Sequence, residues 1–246
     1  YSFFNPKTGL TYSIDDQNDV YASYARANRE PNRTDFENGD PQPERLNDFE
    51  LGYRHNAATT RFYANVYYMD YRNQLVLTGA IDDVGAPIRA NSGNSYRLGV
   101  ELEAGFQAGR MLAIYPNVSL STNKNRDFYF QRDGELQNLG NTNISYSPGI
   151  VAGNRLDFMP FKNFRASLLS KYVGEQYLGN IDAALSKLDG YCVNDINIQY
   201  TLNDVAFAKS ITITALVNNI LNEKYISNGY FYTFDDDFSV PGEVTT

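Results

Sequence analysis

The stretch SYRLGVELEAGFQ, residues 95–107, decides the fold because apolar side chains alternate along it with polar or small ones. The apolar set is Tyr96, Leu98, Val100, Leu102, Ala104 and Phe106, and the other set is Ser95, Arg97, Gly99, Glu101, Glu103 and Gly105. A period of two places these sets on opposite faces of a strand. The stretch exceeds the common strand length of about five or six residues and reaches the roughly 9–11 that a tilted membrane-crossing strand needs.

The same alternation predicts further strands on both sides of this stretch. They are expected at residues 10–14, 19–28, 45–54, 59–71, 110–121, 143–157, 164–177, 190–202 and 210–218. Pro116 and Pro148 fall inside two of them, where a proline removes one donor from the strand ladder. The pattern therefore predicts one all-β domain of about ten strands in a single sheet, with no helix.

The connections between these strands alternate in length. Short links are expected at 15–18, 55–58, 108–109, 159–163 and 203–209, and long links at 29–44, 78–93, 126–142, 178–189 and from about 222 onward. In an antiparallel meander every second connection lies at the same end, so all long loops share one end. Short turns at one end and long loops at the other are typical of outer-membrane β-barrels.

The composition agrees with a membrane barrel and excludes several other classes. The chain has 20 Tyr and 15 Phe, yet its mean hydropathy is only -0.46. Such a combination is expected where every second strand residue faces a polar interior and aromatic rings lie at the membrane interface. A net charge of -8 argues against nucleic-acid binding, which needs clustered Lys and Arg.

No catalytic or resident metal site is predicted. GxSxG, phosphate-binding and dinucleotide-binding motifs are absent, and the single Cys192 forms neither an internal disulfide nor a cysteine-based zinc site. The acidic run at 235–237 could hold a hard cation, as could the pair Asp82 and Asp83, but a solvated loop is the favoured interpretation. Glu101 and Glu103 share a polar face with Arg97, a candidate ion-pair partner. An enzyme and a cofactor are therefore not expected.

Five segments together resemble TonB-dependent receptors. VNNILNEKY at 217–225 is similar to the family's motif near the carboxyl terminus, and the other four are VYASYARANREPNR at 20–33, ERLNDFELGYR at 44–54, NVYYMDYRNQL at 65–75 and SYRLGVELE at 95–103. They follow the family's order over nearly the whole chain. The resemblance implies an antiparallel up-and-down transmembrane β-barrel of about 22 strands, filled by a plug.

Residues 1–246 are expected to be the C-terminal part of that barrel, without the plug domain and the last strand. The resemblance implies an outer-membrane location in a Gram-negative bacterium and uptake of a small metal chelate, with an iron–siderophore complex or haem ranked first. The implied partners are the rest of the barrel and the plug, the TonB complex acting through the plug, and the lipid bilayer. A half barrel alone would leave two open strand edges in lipid, where unpaired backbone groups are costly.

Substrate contacts are predicted on the long loops. The candidates are Asn32, Arg33 and Asp35 in the first long loop, Arg89 and Asn91 in the second, and Tyr230 and Tyr232 in the last. Exposed aromatic side chains at a loop tip are costly unless they bind a partner or pack within the loop.

Other functions remain open at this stage. A cobalamin or glycan importer of the same family would share these features. A surface β-rich adhesin or binding module would share the alternation, but would bury its apolar face in a closed core and dissolve without detergent.

Overall fold

The computed structural model describes residues 1–37, 39–81, 84–91, 93–132 and 135–229. These residues form sixteen strands and one short helix, α1 (Arg33–Glu37). The strands are β1 (Lys7–Ser13), β2 (Asn18–Arg29), β3 (Glu44–Asn56), β4 (Thr60–Arg72), β5 (Leu75–Ile81), β6 (Pro87–Asn91), β7 (Asn94–Ala108), β8 (Leu112–Arg126), β9 (Tyr129–Arg132), β10 (Glu135–Asn138), β11 (Ile150–Phe158), β12 (Phe164–Val173), β13 (Gln176–Tyr177), β14 (Lys187–Leu188), β15 (Tyr191–Val205) and β16 (Ala208–Val217). A 3₁₀ turn lies at Ala184–Ser186. None of the described helices is long and apolar enough to cross a membrane.

Ten strands form one antiparallel sheet in the order β1-β2-β3-β4-β7-β8-β11-β12-β15-β16. Each strand of this order pairs with the next one along the chain, apart from the small hairpins between them. The expected up-and-down meander of about ten strands is therefore confirmed. In the described part of the chain, β1 and β16 form the two edges and the sheet does not close.

Three two-stranded hairpins project from the end of the sheet that carries the long connections. They are β5–β6, β9–β10 and β13–β14. The sequence predicted that all strands form one sheet. That prediction is wrong for these connections, since they contain three further small sheets. Apart from β5, the strands of these hairpins have only two to five residues each, so their sequences carry too little alternation to be recognised.

The strand register sorts the side chains into two faces. One row across the sheet aligns Tyr21, Gly52, Asn65 and Glu101, and a neighbouring row aligns Ala22, Leu51, Val66 and Val100. We call the face with Tyr21 and Glu101 the inner face and the other one the outer face. The segregation predicted from residues 95–107 is thus confirmed across the neighbouring strands.

The outer face is apolar and uncovered. Leu51 is 61% exposed and Leu10 74% exposed, whereas Tyr21 and Asn65 of the inner face are buried. Aromatic side chains of the outer face gather near the short turns: Tyr12, Tyr53, Phe62, Phe106, Phe158, Phe164 and Tyr200. A sheet with an exposed apolar face bordered by aromatic rings is the arrangement expected of a wall that faces lipid.

Two predicted strand details are changed by the structure. The strand expected at 143–157 begins only at Ile150, because Tyr146 adopts a positive φ of 50° that interrupts the extended backbone. Pro116 does lie within β8, opposite Asn154 of β11. On its other side the β7–β8 pairing is interrupted between Asn117 and Ile114 without a change of register. The missing donor is therefore accommodated within the strand.

Candidate functional site

The first two long connections, 30–43 and 73–93, are tied together through Asp35. Asn32 and Asp35 cap α1 reciprocally: the Asp35 N–H donates to Asn32 Oδ1 at 2.9 Å and the Asn32 N–H donates to Asp35 Oδ2 at 2.8 Å. Arg89 Nε lies 3.2 Å from Asp35 Oδ1. The Asp35 side chain is only 2% exposed, so the carboxylate is held by backbone and guanidinium donors together. This contact joins α1 to β6.

Asn91 fastens the same two loops at a second point. Its Nδ2 donates to the carbonyls of Gln42 at 3.0 Å and Asn73 at 2.7 Å, and its Oδ1 accepts from the Gln42 N–H at 2.7 Å. A side-chain amide has few further hydrogen bonds to offer once these three are made. Within this loop pair Asn91 therefore acts as a positioning group for the backbone.

The predicted loop residues thus have different surroundings. The structure brings Asn32, Asp35 and Arg89 together, and Asn91 lies in the same loop pair. Arg33 is directed away and is 92% exposed, with its Nε 2.9 Å from Glu37 Oε1. Tyr230 and Tyr232 lie outside the described residues, as do the acidic pair at 82–83 and the acidic run at 235–237. Contact of any of them with substrate stays a prediction.

The bond between Asp35 and Arg89 should couple the two loops measurably. In a double-mutant cycle of Asp35→Asn and Arg89→Gln, we expect a coupling energy of about 1 kcal/mol, because the partly exposed Arg89 is screened by water. Protease cleavage within 30–43 and 73–93 of the intact receptor measures it. Arg33→Gln is the matched control, since its exposed pair with Glu37 should change little. Additive effects of the two substitutions would contradict the proposed tie.

A second loop pair, 127–149 and 174–190, is joined by buried amides. Asn125 Nδ2 donates to Thr142 Oγ1 at 3.2 Å and to Asn180 Oδ1 at 3.3 Å, and Asn180 Oδ1 also accepts from the Ser145 N–H at 3.0 Å. Asn125 is fully buried and Asn180 is 2% exposed. Asp182 adds two bonds from Asn143, at 2.8 Å and 3.0 Å. Hydrogen bonds between buried polar groups such as these hold loops in one arrangement.

Lys187 and Glu175 form an exposed ion pair in the same loop pair. Lys187 Nζ lies 2.6 Å from Glu175 Oε2. The neighbouring Glu175 carboxylate raises the pKa of Lys187 above its ordinary value, so this lysine is charged at all physiological pH values. The pair is a surface contact and contributes little to stability.

The inner face beneath the loops contains a cavity of about 350 Å³. Its lining includes Arg97, Glu101, Tyr67, Tyr146 and Ser147. Arg97 Nη1 donates to Ser147 Oγ at 3.0 Å, so the segment 143–149 folds inward against β7. Sequence reasoning considered Arg97 only as an ion-pair partner of the glutamates. No feature of the sequence indicates its hydrogen bond to Ser147, a loop residue 50 positions away.

A hydrogen-bonded chain that reaches the cavity lining joins side chains of β2, β4 and β7 on the inner face, passing over β3. Tyr21 Oη lies 2.7 Å from Tyr63 Oη and donates to Asn65 Oδ1 at 3.0 Å. Asn65 Nδ2 in turn donates to Glu101 Oε2 at 3.3 Å. Arg54 stacks over the Tyr21 ring at 4.4 Å, a cation–π contact. The inner face is therefore a polar, internally bonded surface.

These features combine an uncovered apolar outer face, a polar inner face and long tied loops at one end. They define part of the wall of a transmembrane β-barrel. The chain belongs to the TonB-dependent receptors, since the family model described as TonB dependent receptor-like, beta-barrel matches residues 1–220. That family consists of transport receptors of the Gram-negative outer membrane whose members have a plug domain and interact with TonB.

Solved structures show the same fold at low sequence identity. The siderophore receptor PiuA from Acinetobacter baumannii is 16% identical with a TM-score of 0.71, covering 92% of this chain and 32% of that one. The ferric yersiniabactin uptake receptor FyuA from Yersinia pestis is 17% identical with a TM-score of 0.66, covering 92% and 33%. The copper transporter OprC is 16% identical with a TM-score of 0.69, covering 89% and 34%.

The chain therefore spans about a third of the length of the solved structures it matches. No curated protein matches it. The resemblance to a TonB-dependent receptor, expected from five segments of the sequence, is confirmed.

Proposed function

We propose that this chain is the C-terminal part of the barrel of an outer-membrane receptor that imports a metal chelate with energy supplied through TonB. It contributes one wall of the barrel and about half of the outer loops. The remaining strands and the plug belong to the same receptor, and the remaining strands pair with the edges at β1 and β16. A barrel that leaves no open edge satisfies the backbone groups that lipid cannot.

The observation that carries the proposal is the orientation of the sheet. All long connections lie at one end, and a loop segment from that end folds onto the inner face at Arg97. A substrate arriving from outside would meet the two loop pairs first and the cavity near Arg97 next. Of the candidate residues, Asn32, Arg33, Asp35, Arg89 and Asn91 lie on these loops, and Arg97 and Tyr146 line the cavity. Tyr230 and Tyr232 stay candidates on the basis of the sequence alone.

An iron–siderophore complex or haem is the first choice of substrate. PiuA and FyuA are a siderophore receptor and a ferric yersiniabactin uptake receptor by their descriptions, which supports iron chelates. Cobalamin and glycans are alternative substrates of the same family. OprC is described as a copper transporter, so a copper-loaded chelate belongs in the same comparison.

Uptake by a deletion strain tests this proposal. The gene for the intact receptor is deleted in its own bacterium and restored on a plasmid, and energy-dependent uptake of radiolabelled iron–siderophores, haem, copper and cobalamin is measured. We expect loss of one iron chelate and unchanged uptake of the others. Loss of cobalamin or copper alone would overturn the choice of iron. Unchanged uptake of every metal compound would overturn the proposed function.

A further inference from the structure

The outer face carries a second polar region at the ends of β2, β3, β4, β7 and β8 nearest the long loops. The strand register aligns one row of Asn28, Arg45, Arg72, Asn94 and Arg126, and the adjacent row of Arg26, Asn47, Asp70, Tyr96 and Lys124. Since alternate residues of a strand share a face, all ten side chains belong to the outer face. We call Arg26, Arg45, Arg72, Lys124 and Arg126 the outer cationic belt.

The belt lies directly beside the aromatic part of the apolar surface. The next row towards the short turns aligns Tyr24, Phe49, Tyr68 and Leu98, and Tyr24 and Phe49 pack with ring centroids 5.0 Å apart. Aromatic rings of this kind occupy the boundary between hydrocarbon and head groups. The belt, one row further out, therefore lies at the depth of the lipid head groups.

The belt has more positive charge than its own side chains neutralise. Asp70 is the only acid in the two rows, and Arg126 Nη1 lies 3.2 Å from its Oδ1. Arg126 also donates to Tyr68 Oη at 2.6 Å and lies over the Tyr96 ring at 4.8 Å. Arg126 and Asp70 therefore satisfy each other and leave four cations to be neutralised by another anion.

Two of those cations are placed in an unfavourable pair. Arg45 and Arg72 lie directly opposite each other on β3 and β4, and like charges in that position are destabilising. The Nε atoms of Arg26 and Arg45 are buried without a hydrogen-bond partner among the described residues. A buried N–H group of a charged side chain is costly to leave unbonded. An anion between Arg45 and Arg72 would relieve the repulsion between their charges.

The rest of the outer face offers a comparison. Towards the same end, the last outer-face residues of β11, β12 and β15 are Ile150, Tyr172 and Cys192, which are uncharged. The loops above the belt carry acids such as Glu30, Glu37 and Asp127. The positive charge thus lies at the ends of β2, β3, β4, β7 and β8, beyond the row in which β11 begins.

Phosphate is the anion that this geometry fits. The guanidinium group of arginine can donate two parallel hydrogen bonds to phosphate oxygens, and arginines are preferred where phosphates are recognised. A phosphate placed at head-group depth belongs to a lipid. We propose that the outer cationic belt binds the phosphate groups of lipid head groups in the leaflet on the long-loop side of the membrane. This inference rests on the proposed membrane insertion of the receptor.

Lipid binding to the intact receptor tests the proposal. The receptor is purified in dodecyl maltoside, and dissociation constants for dioctanoyl phosphatidic acid, dioctanoyl phosphatidylcholine and inorganic phosphate are measured by native mass spectrometry and calorimetry. The test variant is Arg45→Gln with Arg72→Gln. The control is Arg110→Gln with Lys162→Gln, which removes two charges from short connections at the opposite end. Arg45→Lys with Arg72→Lys keeps the charge.

We expect the glutamine variant to bind phosphatidic acid at least about tenfold more weakly, which corresponds to about 1.4 kcal/mol. The control should change less than about twofold, and the lysine variant should fall between them. Without added lipid, the glutamine variant should melt no lower than the parent, because it loses the opposed charges; this shows that it folds.

Several results would overturn the proposal. They are equal weakening in the test and control variants, equally tight binding of phosphatidylcholine, and binding of inorganic phosphate as tight as that of the lipid. Preference for an acidic protein over phosphatidic acid in competition would also overturn it. Chelate uptake is a separate measurement. If the receptor transports no chelate, the lipid-binding result can still be interpreted.

Discussion

Replacing Asn180 with leucine is expected to loosen the second loop pair by about 1–3 kcal/mol. Asn180 Oδ1 accepts from both Asn125 Nδ2 and the Ser145 N–H, and the side chain is 2% exposed. Leucine fills a similar volume but offers no acceptor. Asn125 Nδ2 and the Ser145 N–H would therefore lose the buried oxygen that they share. The loops 127–149 and 174–190 should then open more often together.

Limited proteolysis of the intact receptor measures this opening. We expect cleavage within the two loops to rise roughly 5- to 150-fold, as a loss of about 1–3 kcal/mol implies. Asn141→Leu is the matched control, because Asn141 is exposed and accepts only a 3.4 Å bond from the Asp127 N–H. Equal cleavage rates in the two variants would show that the buried amides do not hold these loops together.

Substituting Gly52 with alanine should destabilise the barrel wall by about 1–3 kcal/mol. The Tyr21 ring lies against Gly52, and a Cβ there would overlap the ring. Tyr21 would have to move, breaking its bonds to Tyr63 and Asn65 on the inner face. The glycine is therefore required by the close approach of the aromatic side chain.

Urea unfolding of the intact receptor in lipid vesicles, followed by circular dichroism, measures the loss. Gly9→Ala is the control. Gly9 lies in β1 on the inner face, as Gly52 does in β3, and a Cβ there would meet Ala22 O at an ordinary 3.5 Å. We expect Gly9→Ala to be neutral or slightly stabilising, since glycine is unfavourable within strands. A Gly52→Ala receptor as stable as the Gly9→Ala receptor would contradict the packing described for Tyr21.

The main sheet was predictable because one physical requirement acts along every strand. A wall with one apolar and one polar face demands a period of two, and residues 95–107 follow that period strictly. The predicted strand at 95–107 became β7 (Asn94–Ala108), and the one at 59–71 became β4 (Thr60–Arg72). Because every second connection of a meander lies at the same end, the alternating loop lengths then placed all long loops at one end.

The loops were less predictable because their structure depends on contacts between distant residues. Asp35 and Arg89 are 54 positions apart, and no local pattern indicates that they meet. The same holds for Asn125 and Asn180, which are 55 positions apart. Loop placement put Asn32 and Asp35 in one long loop and Arg89 in the next, and it gave no reason to separate Arg33 from them.

The outer cationic belt illustrates a further limit. Arg45, Arg72 and Arg126 are spread along the sequence and look like ordinary strand-end charges. Only the register places them in one row beside an aromatic row. The alternation along a strand predicts the face on which each residue lies. Which residues lie side by side on neighbouring strands depends on the strand register, which the alternation does not give.

Accessibility of spin labels along β7 tests the membrane-wall assignment most directly. In the intact receptor with Cys192→Ser, single cysteines at 97, 98, 100, 101, 102 and 103 are labelled after insertion into lipid vesicles. Labels at 98, 100 and 102 should collide with oxygen dissolved in lipid, whereas labels at 97, 101 and 103 should be shielded from lipid. Loss of this alternation, or lipid exposure at 97, 101 and 103, would contradict the assignment of β7 to a barrel wall with its apolar face in the membrane.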